Sequence, residues 1–171
     1  MSTTDQLLEN NGQYQQGFSD GNKPMPPGKK VAVLACMDAR LHPTKALGLE
    51  VGDAHVIRNA GGVVTEDVIR SLLISQLLLG TEEVILIHHT DCGMLSFTDD
   101  PVKRQVQDDT GLKPPFALES FPDLDEDVRQ SIARLKASPF VPRKNNIRGF
   151  VYDVNTGALR EVSAEPALAG A

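Results

Sequence analysis

Basic residues are the minority in this chain: 17 lysines and arginines stand against 23 aspartates and glutamates, for a formal charge of −6. No concentrated basic face can be traced along it, which argues against a nucleic-acid partner, because neutralising a phosphate backbone requires one. No apolar run approaches the length of a membrane span, so no membrane association is expected. Residues Met1 to Asn11 carry neither a basic start nor an apolar stretch. A signal peptide is therefore not expected, and the cytoplasm is the expected compartment. Internal repeats and low-complexity tracts are also missing. Cysteine is scarce: Cys36 and Cys92 are the only two. A single disulfide between them is one reading, but in a cytoplasmic chain metal ligation or redox chemistry is the better one. What is present is 171 residues, 40% apolar and 23% charged, the composition of a soluble globular protein long enough for one domain with its own core.

Two short stretches stand out, Cys36-Met37-Asp38-Ala39-Arg40 and His88-His89-Thr90-Asp91-Cys92-Gly93. Each follows an apolar, β-branched run, Val31 to Ala35 and Val84 to Ile87, and so reads as the carboxyl end of a buried parallel strand, where α/β sheets place their ligands. The expected fold class is α/β: a single domain with a mainly parallel central sheet of about four to five strands flanked by helices. Strands are expected over Lys30 to Cys36, His55 to Arg58, Glu83 to His88 and Arg148 to Asp153. After an Asn155-Thr156-Gly157 turn, Ala158 to Val162 pairs back as a hairpin arm. Thr65 is an N-cap for a core helix whose apolar residues from Val68 follow helical spacing, with Gln76 the exception and Gly80 closing it. A second helix is expected from Asp125 to Lys136, and Ser96 to Asp123 reads as irregular with one helix near Val102 to Gln107.

The organisation expected is an amino-terminal arm and Pro-rich connector over residues 1–28, the main domain over 29–163 and a frayed tail over 164–171. In the arm, Leu7, Leu8, Tyr14 and Phe18 are too few to bury alone. A weak helix lying on another subunit and a frayed terminus fit them equally. The glycines of Asn59-Ala60-Gly61-Gly62 permit either close approach of backbone to a ligand or a plain strand-to-helix turn, and the two readings weigh the same.

His89 and Cys92 are three residues apart, close enough to face one metal if the strand gives way to a turn after His89. His88 and His89 point to opposite faces of a strand, so one looks toward the site and the other away. The H-x-x-C spacing favours His89; His88 would make an H-x-x-x-C pair. His42 and His55 have no evident partner and read as ordinary histidines. Cys36, from the neighbouring strand, completes a set of two sulfurs and one nitrogen. Such a set selects zinc over hard cations, and three protein ligands leave an open position, the mark of a catalytic rather than a structural site. Two thiolates cancel the ion's charge, so it acidifies a bound water less than an all-histidine site would. Asp38 and Arg40 can supply help: Arg40 clamps Asp38 bidentately, and the held carboxylate accepts a hydrogen bond from zinc-bound hydroxide.

C-M-D-A-R and H-H-T-D-C-G at the ends of core strands, with N-A-G-G between them, resemble the β-class carbonic anhydrases over roughly Val31 to Val162. The resemblance implies one zinc per chain on Cys36, His89 and Cys92, with Asp38 and Arg40 as the catalytic dyad and Asp38 as a conditional fourth ligand. It also implies the Gly93 amide as a donor to substrate, carbon dioxide and bicarbonate as reactants of a lyase, and a homodimer or homotetramer. Three departures stand out. Met25-Pro26-Pro27-Gly28 replaces the segment where plant-type members carry a substrate-binding glutamine, which puts the chain with the short microbial branch. Met37 and Ala39 replace serines common in the first motif. The sequence has no tryptophan, and with it no sign of the bicarbonate regulatory pocket of some bacterial members. Two other functions compete: hydrolysis of carbonyl sulfide or carbon disulfide on the same scaffold, and a non-catalytic zinc or redox sensor, for which the Asp38–Arg40 dyad would have no use.

Overall fold

The computed structural model describes residues 1–164. All six residues of β1 (Val31–Cys36) are buried, as a central strand covered on both faces requires. β2 (Ala54–Asn59) and β3 (Glu83–His89) pair parallel to β1 on either side. β4 (Asn146–Tyr152) pairs parallel to β3, and β5 (Leu159–Val162) antiparallel to β4. The sheet order is β2-β1-β3-β4-β5, so the chain moves one way after β1 and the other way after β2. The switch point falls between β1 and β3, where the two motifs emerge.

One face of the sheet is covered by α3 (Glu66–Leu77) and α5 (Leu124–Ala137). Val68, Leu72, Val128, Ile132 and Leu135 from these helices pack on Ala32, Leu34, Val84 and Leu86. On the other face Val33, Ala35 and Ile87 meet Leu41, Val63, Met94 and Phe121, with Leu47 of the short α2 (Pro43–Leu47) packed beside them. The alternation along β1 between the two clusters is the period of two that a strand imposes.

Local signals account for the helix ends. The Thr65 side chain accepts from Val68 N at 3.4 Å, and Asp123 caps α5 by accepting from Glu126 N at 2.8 Å, which starts that helix slightly earlier than Asp125. Gln76, out of place in an apolar pattern, is buried. Its amide pairs with both main-chain groups of Arg143, donating to Arg143 O at 3.0 Å and accepting from Arg143 N at 2.9 Å, so it ties α3 to the segment after α5. α4 (Asp99–Thr110) is longer than the turn or two expected near Val102 to Gln107. Asp99 at its start accepts from Leu118 N, Ser120 N and Ser120 Oγ at 2.7, 3.1 and 2.8 Å and so anchors the irregular stretch behind it.

The arm forms α1 (Thr3–Gln16), closed by a capping box between Ser2 and Asp5, with no residue buried. Among the described residues no helix is long and apolar enough to cross a membrane. Apart from Ala164, the tail expected to fray lies outside the described residues.

Two glycines are required by space. Gly62 has φ +71°, and a Cβ there would lie 2.8 Å from Cys36 N and 2.9 Å from Ile87 O. The N-A-G-G loop is therefore seated at Gly62 on the backbones of β1 and β3, a close approach to the chain's own strands that neither reading of its glycines included. At Gly149 in β4 a Cβ would overlap Val128 Cγ1 and lie 3.0 Å from Ile132 Cδ1. Gly149→Ala should push α5 off the sheet, costing about 1–3 kcal/mol and lowering Tm by roughly 3–10 °C in a thermal melt. A variant melting with the parent would mean that α5 shifts freely.

Candidate metal centre

Cys36 ends β1 and His89 ends β3, and Cys92 follows three residues later, just before the 3₁₀ turn Gly93–Leu95. All three are buried, and their ligand atoms lie within 4.8 Å of one another. Both cysteines are free, so the disulfide reading does not describe this structure. His88 and His89 diverge as a strand requires. His88 turns toward α5, where its Nε2 lies 2.7 Å from Asp127 Oδ2, and its ring packs 5.5 Å from that of Phe121. His89 turns toward the two sulfurs. His42 and His55 lie outside the cluster, and His55 Nδ1 is bonded to Ser75 Oγ at 2.7 Å.

The fit of a metal to these residues can be judged from His89 itself. Its Nδ1 is 2.8 Å from Thr90 O. A carbonyl only accepts, so the proton sits on Nδ1 and the lone pair on Nε2. Nε2 is buried with no hydrogen-bond partner, a costly condition for a polar atom unless it serves a ligand. The neighbouring thiol pulls the Cys36 pKa down, and the Cys36 sulfur together with burial pushes the Cys92 pKa up. Burial lowers the His89 pKa, but the Cys36 sulfur and the Thr90 carbonyl more than reverse it, for a net upward shift. Two soft sulfurs, one already inclined to ionise, and an imidazole lone pair make a donor set that fits zinc.

Beside this set lies the Asp38–Arg40 pair. Arg40 Nε donates to Asp38 Oδ1 at 3.0 Å, Nη2 to Oδ2 at 2.8 Å, and the Arg40 main-chain N–H to Oδ1 at 2.8 Å. Hydrogen bonds from the Arg40 side chain, then from its backbone, hold the Asp38 carboxyl far below the usual carboxylate range. Asp38 Oδ2 is 3.8 Å from His89 Nε2, so the carboxylate faces the donor set. Gly93 opens its turn with the N–H in a position that has no intrahelical partner, and the space where its Cβ would lie is open.

Sequence reasoning assigned no role to three residues that matter here. Asp91 grips Arg40 from the far side, its Oδ2 accepting from Nη1 at 2.7 Å and its carbonyl from Nη2 at 3.0 Å. Its φ of +54° is one that aspartate tolerates better than most residues, and its place inside H-H-T-D-C-G was the available signal. Arg58, near the end of β2, donates to carbonyls of the first motif and of Leu41 just after it. Asp127, the partner of His88, is 39 residues away from it and left no local trace.

A family model described as carbonic anhydrase matches residues 31–113. β-Carbonic anhydrase 1 of Mycobacterium tuberculosis is 60% identical over 163 residues, covering 95% of this chain and 99% of the relative. The crystal structure of carbonic anhydrase from Streptococcus mutans superposes with a TM-score of 0.88 at 45% identity, covering 95% of this chain and 99% of that one. A carbon disulfide hydrolase of Saccharolobus solfataricus is more distant, 38% identical over 164 residues with 81% of this chain and 80% of the relative covered. Identity of this extent over nearly the whole length, on the same fold, leaves one conclusion: the chain belongs to the β-carbonic anhydrase family.

Proposed function

We propose that this protein catalyses the reversible hydration of carbon dioxide to bicarbonate and a proton, with one zinc per chain held by Cys36, His89 and Cys92. The observation that carries the reading is an ionised, acceptor-only carboxylate, Asp38, clamped by Arg40 at both oxygens and facing an unpartnered His89 Nε2 beside two thiols. Zinc bound there supplies a Lewis acid that lets water lose a proton near neutral pH.

The chain's own residues do the rest. Asp38 has no proton to give at physiological pH, so it accepts a hydrogen bond from the reacting water and fixes the direction of the remaining lone pair toward carbon dioxide. Arg40 keeps Asp38 ionised and at one orientation. The same clamp keeps the carboxylate from turning onto the donor set, where a released Asp38 would become the conditional fourth ligand. The Gly93 N–H donates to a substrate oxygen, and the buried apolar side chains around the cysteines, Val63, Met94 and Phe121, exclude bulk water. The proton released with bicarbonate passes to buffer.

Reduced thiols persist in the cytoplasm, and we place the protein there. We also assign it a homodimeric or homotetrameric state. Leu7, Leu8, Tyr14 and Phe18 of the arm are each at least half exposed, as are Leu77 and Leu78 at the end of α3. An apolar groove lined by Ile69, Leu73, Pro139 and Phe140 lies between α3 and the end of α5. Exposed apolar surface of this kind is what a second copy would cover. A second reading, hydrolysis of carbonyl sulfide or carbon disulfide, is favoured only by the more distant relatives of that name.

Stopped-flow hydration by the zinc-loaded protein, with carbonyl sulfide and carbon disulfide run alongside, tests the reading. Fast hydration is expected, falling about 10–100-fold in Asp38→Ala; activity confined to the sulfur substrates would transfer the assignment to them. Cys92→Ser should lose zinc and activity together, and stoichiometric zinc in that variant would require a different ligand set. In sedimentation, a chain lacking residues 1–22 should dissociate to smaller species, whereas an unchanged oligomer would show the arm to be dispensable.

A further inference from the structure

We propose that Arg58 is a positioning residue for Asp38, acting through the main chain of the Cys36–Leu41 loop; the proposal rests on the hydration reading above. Arg58 stands one residue from the end of β2, opposite Ala35 in the register with β1, and its guanidinium reaches over the end of β1. Nε and Nη2 donate to Cys36 O at 3.0 and 2.8 Å. Nη2 has two N–H bonds; one points to Cys36 O, and the other is shared between Asp38 O at 2.7 Å and Leu41 O at 2.9 Å. All four contacts are to main-chain oxygens, and the three carbonyls come from the start, the middle and the end of the loop.

Carbonyl oxygens aimed at one point repel one another unless a cation sits at the focus. A guanidinium is suited to that place, because it is always charged and presents its donors in a rigid plane. Main-chain pairing adds Met37 N to Asn59 O at 2.8 Å and Leu41 N to Asp38 O at 3.1 Å. Those two bonds pin the loop's entry and close its turn; the guanidinium ties entry, middle and exit to β2. Asp38 is then gripped twice. Arg40 holds its carboxylate and Arg58 holds its carbonyl, so the side chain cannot rotate by moving its own backbone. Since the same guanidinium also fixes the Cys36 carbonyl, it sets the direction from which the Cys36 sulfur enters the donor set.

A lysine at this position would keep the charge but not the rigid planar fork of donors. The test therefore compares Arg58→Lys with Arg58→Gln, which keeps two donors and loses the charge, each as the full chain, zinc-loaded and verified as folded by its thermal melt. If one of the two does not fold, the other decides. Expected is a kcat for carbon dioxide hydration lowered about tenfold or more with KM nearly unchanged, because Asp38 orients the reacting water and does not bind the substrate. Zinc loss to excess chelator should also quicken about tenfold. A folded variant with the parent's kcat, or with the parent's rate of zinc loss, would overturn the proposal, as would a lowered Tm with neither change. If the parent protein itself does not hydrate carbon dioxide, the functional reading fails, and the zinc-loss comparison alone decides the role of Arg58.

Discussion

The contact on which the rest of the architecture depends is the seating of Gly62 on the ends of two strands. The chain leaving β2 must cross over β1 to begin α3 and reach β3 on the far side. It does so against the backbone of Cys36 and Ile87, at a distance that leaves no room for a Cβ. Any side chain there would lift the loop from the sheet or part β1 from β3. Either movement would separate Cys36 from His89, since these two residues end the strands that the loop bridges. The positive φ of Gly62 adds a second reason why only glycine serves. Packing thus dictates where the two motifs meet, and the metal centre is a consequence of how the crossover is seated.

Once the motifs meet, charge organises what surrounds them. Buried thiols and carboxylates crowded at one sheet edge would repel as they ionise. The structure answers with two arginines of different function. Arg40 lies between Asp38 and Asp91 and touches both carboxylates, so its charge is shared between them. Arg58 contacts main-chain carbonyls and turns a loop of dipoles into a rigid support. His88, pointing the other way, joins the end of β3 to Asp127 of α5, so the strand that delivers His89 is anchored on the helical face as well. Side chains on both faces of the sheet therefore converge on one short length of β3.

Much of this was legible in the sequence because the decisive signals are local. A fully buried parallel strand must be apolar throughout, so β1 and β3 announced themselves. The three-residue spacing after His89 and the two-residue spacing from Cys36 to Asp38 are short enough for chain geometry alone to bring the groups together. The preference for His89 over His88 rested on such spacing, and the structure places His89 with the sulfurs. What stayed hidden depended on chain segments brought together only by the fold. Asp127 meets His88 only because α5 crosses β3 and β4, and Arg58 meets Leu41 only because β2 lies beside β1. Gln76 looked like a defect in an amphipathic pattern, although its two-way pairing with Arg143 is a means of joining a helix to a distant segment. The length of α4 was missed for a related reason: none of its residues is buried, so there was no apolar stripe to reveal it.

The distribution of charge also bears on which molecules the site can turn over. Two thiolates offset the charge of a bound dication, the Arg40 guanidinium is engaged by two carboxylates, and that of Arg58 by main-chain carbonyls. No strong positive field is left to draw an anion in or to keep one there. A small, linear, uncharged electrophile meets no such barrier, because its entry requires only space beside Gly93 and contact with apolar walls. Carbon dioxide, carbonyl sulfide and carbon disulfide all satisfy that condition, and the relatives of this chain include proteins named for carbonic anhydrase and for carbon disulfide hydrolase. Their products differ. Bicarbonate is formed as an anion beside an ionised Asp38, with no unengaged cation to retain it, so electrostatics favours its departure. Retention of bicarbonate would require a further cation, which Arg40, held between Asp38 and Asp91, cannot supply.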